Sequence, residues 1–426
     1  MAARPENRVI PSFEEARHLV EARAAELRSF RTETVALLDA AGRVLAESVS
    51  ADRDIPPFPR ATRDGFAVRA ADLVPLPAKL EVIAEVRAGE KPEKIPDNLV
   101  RGQAVSIMTG APVPAGADAV VMVEYTSRLG RVVEIARAVA AGENVVPRGA
   151  EARQGGALLE CGLRLNASAI ALAASVGKSH LQVFRRPRVA VLTTGDEIVE
   201  LSVNPGSTQI RNSNSFSLAA QIREAGGEAV ILPIAPDEPR RLRELIEQGL
   251  QSDLLLLTGG VSMGKYDLVE QVLSELQAEF FFTGAKIQPG RPVVFGWVPC
   301  ASTIAGQTSS REKPPKYFFG LPGNPVSTMV TFELFARPML EALAGMAPRK
   351  LRFVHAKLKS DIRVKTGLTR FLPAVLSGEF ENSQAELVAW QGSGDIAATA
   401  RANCYVVIPP DRERIAAGEF VAVMMG

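Results

Sequence analysis

The sequence predicts an α/β multidomain protein built around a mainly parallel sheet, with a discontinuous helical stalk, an inserted β-rich domain and a C-terminal small β-domain. Three observations carry this. From Arg188 the chain alternates β-prone runs with helical ones, the rhythm of a sheet covered on both faces. Between Ala51 and Gly142 short β-prone runs alternate with Pro and Gly, as in a small β-domain. After Gly345 the helical patterns give way to short strands.

The first helix is marked by Ser12 ahead of Phe13-Glu14-Glu15, a capping box, with Ala16, Leu19, Val20, Ala24 and Leu27 recurring at helical spacing. In the β-rich stretch the strands fall at Lys79–Arg87, Ala104–Thr109, Ala119–Tyr125 and Val132–Ala136. Asn166 to Val176 reads as a second helix ended by Gly177, and it is expected to rejoin the first helix in the stalk. The boundaries are then 1–50 plus 143–185 for the stalk, 51–142 for the insertion, 186–346 for the sheet domain and 347–426 for the last β-domain.

In the sheet domain, strands at Arg188–Leu192, Ala229–Pro233, Leu254–Leu257, Val293–Trp297 and Tyr317–Phe319 alternate with helices over Phe216–Ala225 and Arg240–Gly249 and a long helix from Pro325. Asp237 before Pro239, and Asp267 with Glu270 three residues on, sit where N-caps sit. Pro299–Lys316 reads as an exposed loop. The final strands are Phe353–Leu358, Arg370–Leu376, Ala385–Trp390, Cys404–Ile408 and Glu419–Val423, with no helix among them.

Composition excludes several classes. The chain has 426 residues, enough for roughly three domains. Its 49 basic and 48 acidic residues leave a charge of +1, without the basic excess that general nucleic-acid binding needs. Cys161, Cys300 and Cys404 are too scattered for a disulfide framework or a zinc site, and His18, His180 and His355 never pair at i, i+4. No apolar run reaches the about 18 residues of a membrane span. The N-terminal stretch lacks the apolar core of a signal peptide, so the expected location is the cytoplasm.

Three glycine-bearing loops each leave the C-terminal end of an expected strand: Thr193-Thr194-Gly195-Asp196-Glu197, Thr258-Gly259-Gly260-Val261-Ser262-Met263-Gly264 and Gly320-Leu321-Pro322-Gly323-Asn324-Pro325. That edge of an open parallel sheet is its ligand crevice. Glycines there let backbone N–H groups approach an anion, and helix N-termini add positive dipole ends. A turn requiring positive φ explains any single loop equally well; three at one edge favour a phosphate-bearing ligand. Gly259, Gly264 and Lys265 begin a P-loop pattern, but Tyr266 stands where Mg²⁺ coordination needs Ser or Thr.

Asp196, Glu197, Asp237 and Asp267 gather near these loops. Carboxylates beside a phosphate repel it unless a hard cation intervenes, for which Mg²⁺ is the usual choice. The plainer reading of Asp237 and Asp267 is helix capping. Farther upstream, the prolines of Ile55-Pro56-Pro57-Phe58-Pro59 hold the chain extended ahead of Asp64-Gly65, a turn that displays a carboxylate.

These residues resemble a known family. The stretches PPFPRATRDGFAVR, IMTGAPVPAGADAVVMVE, TTGDE, TGGVSMGKYD, IQPGRPVVFG, GLPGNPVS and QGSGDIAATARANCYVVIP occur in the order of the MoeA-type molybdopterin molybdotransferases, whose relatives include the C-terminal domain of gephyrin. The resemblance implies a pterin-binding sheet domain, a C-terminal β-barrel and an elongated homodimer whose active site is shared between subunits. It implies insertion of molybdate into adenylated molybdopterin, with Mg²⁺-dependent cleavage of the adenylate to release molybdenum cofactor and AMP. An upstream adenylyltransferase and apo-molybdoenzymes would be partners.

By this resemblance Asp64, Glu151, Glu197, Asp237 and Asp267 are the catalytic acids, Asp237 and Asp267 also holding the metal. Thr109, Gly195, Gly259, Gly260, Ser262, Gly320, Pro322, Gly323 and Asn324 would contact the pterin substrate. Arg291, Pro292, Arg370 and Ser393 would bind molybdate. Arginine's rigid fork suits such an oxyanion, and the chemistry needs no histidine or cysteine nucleophile.

The chain departs from the pattern in three places. Arg60-Ala61-Thr62-Arg63 stands where the family reads Asn-Ser-Ala-Met, and Glu151 replaces an Asp. Gln288-Pro289-Gly290-Arg291 replaces Lys-Pro-Gly-Lys, and whether Lys286 supplies the lost charge is open. Two alternatives are a molybdopterin adenylyltransferase and a gephyrin-like scaffold. The extra β-domains weigh against the first, and the lack of a long disordered linker against the second.

Overall fold

The computed structural model describes residues 10–28, 31–260, 268–299, 315–346 and 349–425. Contacts divide the chain into two compact units, one of Met1–Glu33, Gly42–Ala46 and Gln182–Gly426, the other of Thr34–Ala41 and Glu47–Leu181. The first helix, α1 (Phe13–Glu26), belongs to the larger unit. It starts as the sequence dictates: Ser12 Oγ accepts from the Glu15 N–H at 3.1 Å, and the Ser12 N–H donates to the Glu15 carboxylate at 2.7 Å. Its inward face is Ala16, Arg17, Val20 and Ala24. Leu19, expected on that face, is 40% exposed.

The smaller unit is built on a six-stranded sheet of β1 (Gly65–Val68), β2 (Ala78–Val86), β3 (Gln103–Ile107), β4 (Ala119–Met122), β5 (Thr126–Leu129) and β6 (Val132–Ile135), in the order β4-β1-β3-β2-β6-β5. Only β2 and β3 run parallel. Alternate residues feed two cores: Phe66, Val68, Leu80 and Val121 enter one, Ala67, Val105, Ile107 and Val120 the other. Burial on both faces explains why these strands read as apolar runs. In the same unit, α2 (Ala167–Ser175) is capped by Asn166, which accepts from the Ala169 N–H at 2.9 Å.

In the larger unit the elements follow as β7 (Arg188–Thr193), α3 (Asn214–Glu224), β8 (Glu228–Ile231), α4 (Pro239–Gly249), β9 (Leu254–Thr258), α5 (Leu268–Glu275), β10 (Glu279–Phe282), β11 (Val294–Val298), β12 (Lys316–Leu321), α6 (Pro325–Thr331) and α7 (Arg337–Leu343). The sheet order is β8-β7-β9-β12-β11-β10. The first four strands are parallel, and β11 and β10 are antiparallel additions. Val189, Val191, Leu254 and Leu256 pack on one face; Ala190, Leu192, Leu255 and Leu257 pack on the other. The sequence reading missed β10. Of the expected loop over Pro299–Lys316, residues 300–314 lie outside the described residues, and Lys316 already opens β12.

The chain then forms β13 (Phe353–Leu358), β14 (Thr369–Ser377), β15 (Gln384–Leu387), α8 (Ile396–Arg401), β16 (Cys404–Ile408) and β17 (Phe420–Met425). The pairings β14-β15-β13-β17-β16 return to β14, so the sheet closes as a small barrel. A short strand from the sheet region, Ile287–Gln288, joins its rim in parallel with β14. Helix α8 corrects the expectation that helices end at Gly345. Asp395 caps it by accepting from the Ala398 N–H at 2.9 Å, and alanines follow. The barrel and sheet share a core: Phe371 of β14 lies 5.3 Å from Phe13 of α1, ring to ring. Among the described residues no helix is long and apolar enough to cross a membrane.

The long helix expected from Pro325 is interrupted by a π segment, Phe332–Ala336, between α6 and α7. Such a segment shifts the backbone register by one residue, and the Arg17 guanidinium donates to the Leu334 carbonyl there. Around it lies a charge network. Glu341, 3% exposed, accepts from Arg337 Nε at 3.3 Å and Arg349 Nε at 3.0 Å, and Arg337 also pairs with Glu333. Glu341 is buried, but Arg337 keeps Glu333 and the Arg349 side chain is 41% exposed, so Glu341→Ala is expected to cost about 1.5–3 kcal/mol in urea unfolding. Glu386→Ala, which breaks the exposed 2.6 Å pair with Lys359, should cost no more than about 1 kcal/mol. Equal losses would contradict this assignment.

Candidate active site

The three glycine loops meet at the carboxyl ends of β7, β9 and β12. Register aligns Thr193 with Thr258 and Thr258 with Leu321. Their approach is backbone on backbone. A Cβ on Gly259 would lie 2.4 Å from the Thr194 carbonyl oxygen, and one on Gly260 would lie 2.6 Å from Thr194 Oγ1. Both have positive φ, +85° and +58°. Glycine is therefore required there by space as well as by conformation. A Cβ on Gly323 would reach the Gly259 Cα at 3.5 Å, which brings the third loop against the second. Gly195 donates its N–H to the Ala235 carbonyl at 3.2 Å, and Gly320 pairs in register with Leu257 inside the sheet.

A polar web lies beneath the loops. The Thr258 hydroxyl donates to the Pro322 carbonyl at 3.2 Å, and the Thr328 hydroxyl donates to the same carbonyl. Thr193 Oγ1 shares a 2.8 Å bond with Ser215 Oγ, and Asn214 Nδ2 donates to Thr258 Oγ1 and the Gly323 carbonyl. Thr194 Oγ1 and Asn214 Oδ1 are buried with no hydrogen-bond partner among the described residues. Asn324 Nδ2 donates to Ser393 Oγ at 2.9 Å, and the Val326 N–H donates to the Ser393 carbonyl at 3.0 Å. Ser393 of the barrel thus reaches the third loop.

The carboxylates of the first loop meet Asp237. The helix it was expected to cap begins differently: Glu238 occupies the N-cap of α4 without a side-chain bond, and Pro239 supplies a first turn that lacks an N–H to satisfy. Asp237 instead donates its N–H to the Asp196 carboxylate at 3.1 Å. Burial, then the negative charges of Asp196 and Glu197, push the Asp237 carboxyl above its ordinary value. Oxygen-only donors that repel one another are the chemistry a hard cation relieves. Among the described residues no three acidic groups already converge as a metal site. Asp267 and Ser262 lie outside the described residues.

On the barrel side, the parallel pairing of Ile287–Gln288 with β14 aligns Gln288 with Arg370. Arg370 is 7% exposed, and Nη2 donates to the Lys365 carbonyl at 2.6 Å. Among the described residues its buried Nη1 has no partner, and burial pulls the guanidinium below its ordinary value. Arg291 is exposed and followed by the half-buried Pro292. Lys286 is exposed two residues before Gln288, its N–H bonded to the Pro11 carbonyl, and its charge helps lower the Glu15 carboxyl after the two Ser12 hydrogen bonds.

In the smaller unit, Asp64 Oδ1 accepts from the Thr109 N–H at 2.6 Å and the Thr109 hydroxyl at 2.8 Å. These bonds hold its carboxyl below the ordinary range, hence ionised. A Cβ on Gly65 would lie 1.9 Å from the Val121 carbonyl, so only glycine allows the turn to enter the sheet here. Glu151 pairs with Arg60 at 2.8 Å, so two of the chain's departures from the family pattern are bonded to each other. Of the described cysteines, Cys161 is exposed and Cys404 is buried, which pushes the Cys404 thiol up to about 11.

Comparison with known proteins matches three consecutive parts of the chain. Residues 11–177 match the MoeA N-terminal region (domain I and II), residues 190–342 a family described as "Probable molybdopterin binding domain", and residues 355–425 the MoeA C-terminal region (domain IV). A molybdopterin molybdenumtransferase of Nostoc is 35% identical over 406 residues, spanning 92% of this chain and 88% of its own length. The chain belongs to the MoeA family of molybdopterin molybdenumtransferases. That makes it a transferase of molybdenum cofactor biosynthesis. The Bacillus subtilis enzyme of that name is 33% identical over 92% of this chain and 90% of its own. The solved molybdopterin biosynthesis MoeA protein of Pyrococcus horikoshii is 32% identical with a TM-score of 0.68, covering 98% of this chain and 99% of that one.

The glycine loops are legible from their place after expected strands, but the residues that support them are not. Asn212, Asn214, Ser215 and Thr193 carry the web, and the run Asn212-Ser213-Asn214-Ser215 before a helix was the available signal. Asn212 does act as a cap, accepting from the Ser215 N–H at 3.1 Å. Asp237 gives a test of the acidic cluster. A carboxyl raised by folding adds stability that is full below its unfolded value and lost as pH rises through the folded one. At pH 7 the ionised group is therefore a burden on the metal-free protein. Asp237→Asn should leave Tm at pH 7 unchanged or higher, with any gain fading near pH 4. A lower Tm at pH 7 would show the carboxylate holding α4 after all.

Proposed function

We propose that the sheet edge of the larger unit binds adenylated molybdopterin and that the chain inserts molybdate into its dithiolene, releasing molybdenum cofactor and AMP. The observation that carries this is the junction of the three glycine loops, with Asp196, Glu197 and Asp237 gathered at the first loop and Ser393 of the barrel bonded to the third. Gly195, Gly259, Gly260, Ser262, Gly320, Pro322, Gly323 and Asn324 would line the pterin and its phosphates, with Gly259, Gly260 and Gly323, where the loops meet, offering backbone donors. Arg370, whose Nη1 has no partner among the described residues, and Arg291 with Pro292 and Ser393, would hold the molybdate dianion.

Glu197 and Asp237, with Asp267, fit a Mg²⁺ ion, which when bound would neutralise charge developing on the adenylate phosphate. The residues' own work is positional. Asp237 and Glu197 fix where positive charge can reside, and Arg370 orients the oxyanion against the pterin sulfurs. Asp64, kept ionised by Thr109, and Glu151, paired with Arg60, would complete the site from the partner subunit of a homodimer. A four-part division into stalk, inserted β-domain, sheet domain and barrel, and a cytoplasmic location, belong to the same proposal. So do an adenylyltransferase that supplies the substrate and apo-molybdoenzymes that take the product.

The test is AMP release from adenylated molybdopterin with Mg²⁺, titrated with molybdate. Molybdate-stimulated release is expected. Asp237→Asn should lower it at least about 100-fold, more than the loss of a supporting residue around a metal costs. Release that ignores molybdate, or adenylate formed from ATP and molybdopterin instead, would overturn the reading.

A further inference from the structure

We infer that Asn214 is a positioning residue for substrate binding, setting the spacing of the three loops without touching the ligand; this rests on the pterin-binding reading above. Asn214 is the first residue of α3 and 8% exposed. Its Nδ2 forks, donating at 2.9 Å to Thr258 Oγ1, where the second loop begins, and at 2.7 Å to the Gly323 carbonyl of the third. Its neighbours secure the first loop: Ser215 Oγ bonds Thr193 Oγ1 at 2.8 Å, and Asn212 Nδ2 donates to Ser215 Oγ at 3.0 Å. One four-residue stretch thus fastens all three loops from below.

The Thr194 N–H donates to the Thr258 carbonyl at 3.0 Å and the Thr258 hydroxyl to the Pro322 carbonyl at 3.2 Å, and Asn214 adds the side-chain tie from Thr258 to the Gly323 carbonyl. Where they meet they present Gly259, Gly260 and Gly323, which have no side chains to interlock. Backbone donors act on an anion only when held at the right separation, and an ångström of misplacement is felt in binding. Among the described residues nothing donates to the buried Asn214 Oδ1. The side chain is therefore anchored there through its donors. An isosteric Asp has no donor when ionised and would turn a charge toward the Gly323 carbonyl, so it cannot hold either bond.

The experiment is to measure, for the full chain and Asn214→Asp, the Kd of adenylated molybdopterin by pterin fluorescence. KM, kcat and the half-saturating molybdate concentration follow from AMP release, and Tm is recorded alongside. Kd and KM for the adenylated pterin are expected to rise about ten-fold, with kcat and the molybdate response within about two-fold of wild type. Unchanged Kd in a folded variant would overturn the inference. So would a molybdate response that worsens in step with KM as Tm falls, which is what general loosening gives. Should Asn214→Asp not fold, Thr258→Val is the isosteric substitute; it removes the hydroxyl that Asn214 holds and should give the same split, and unchanged Kd there overturns the inference equally. If the wild-type chain binds the pterin but releases no AMP in response to molybdate, the transfer reading fails while the Kd comparison still decides the role of Asn214.

Discussion

The ligand edge depends on one close approach, the Gly259-Gly260 backbone against Thr194. With no room for a Cβ at either glycine, the second loop lies directly on the first, and the third lies on the second through Gly323. Parallel register between β7, β9 and β12 delivers the three loops to one level. Hydrogen bonds from residues 212–215 hold them there. The cores on both faces of the sheet make that edge rigid enough for backbone N–H groups to serve as a binding surface.

Charge is then distributed around this edge by element. The acidic groups come from the loop after β7 and the turn before α4, where burial and then the charges of Asp196 and Glu197 raise the Asp237 carboxyl. The cationic groups are Lys286 just before the Ile287–Gln288 strand, Arg291 in the turn after it, and Arg370 of β14, which the register sets beside Gln288. The near-cancelling 49 and 48 charges of the chain thus conceal a separation by position. The barrel is more than an appendage to the sheet: Phe371 packs on Phe13, and Ser393 bonds the third loop.

Much of this was legible beforehand because it rests on local chemistry. Capping at Ser12, strand burial at Leu254–Leu257 and the placement of glycines after strands follow from spacing and side-chain type. What escaped depends on tertiary context. Asp237 looked like a cap because Asp before Pro usually is one, yet Asp196 captured its N–H. The antiparallel strand Glu279–Phe282 pairs with Val294–Val298 across a segment that leaves the sheet to join the barrel rim at Ile287–Gln288. The π segment at Phe332–Ala336 arises from packing that includes Arg17, more than three hundred residues away in sequence. Helix α8 was readable from Asp395 and the alanines after it, but the surrounding strands masked it. Asn214 shows its role only when its two acceptors, 44 and 109 residues distant, are seen together.

The central claim is that a cation is held jointly by the acidic cluster and the substrate's phosphates. It is tested most directly with Mn²⁺ as a paramagnetic substitute, by comparing its affinity for the protein alone and for the protein with adenylated molybdopterin. The account predicts weak binding to the protein alone and binding at least about ten-fold tighter with the substrate, accompanied by broadening of the substrate's phosphorus resonances. Mn²⁺ affinity that is indifferent to the substrate, or phosphorus resonances left sharp, would contradict it.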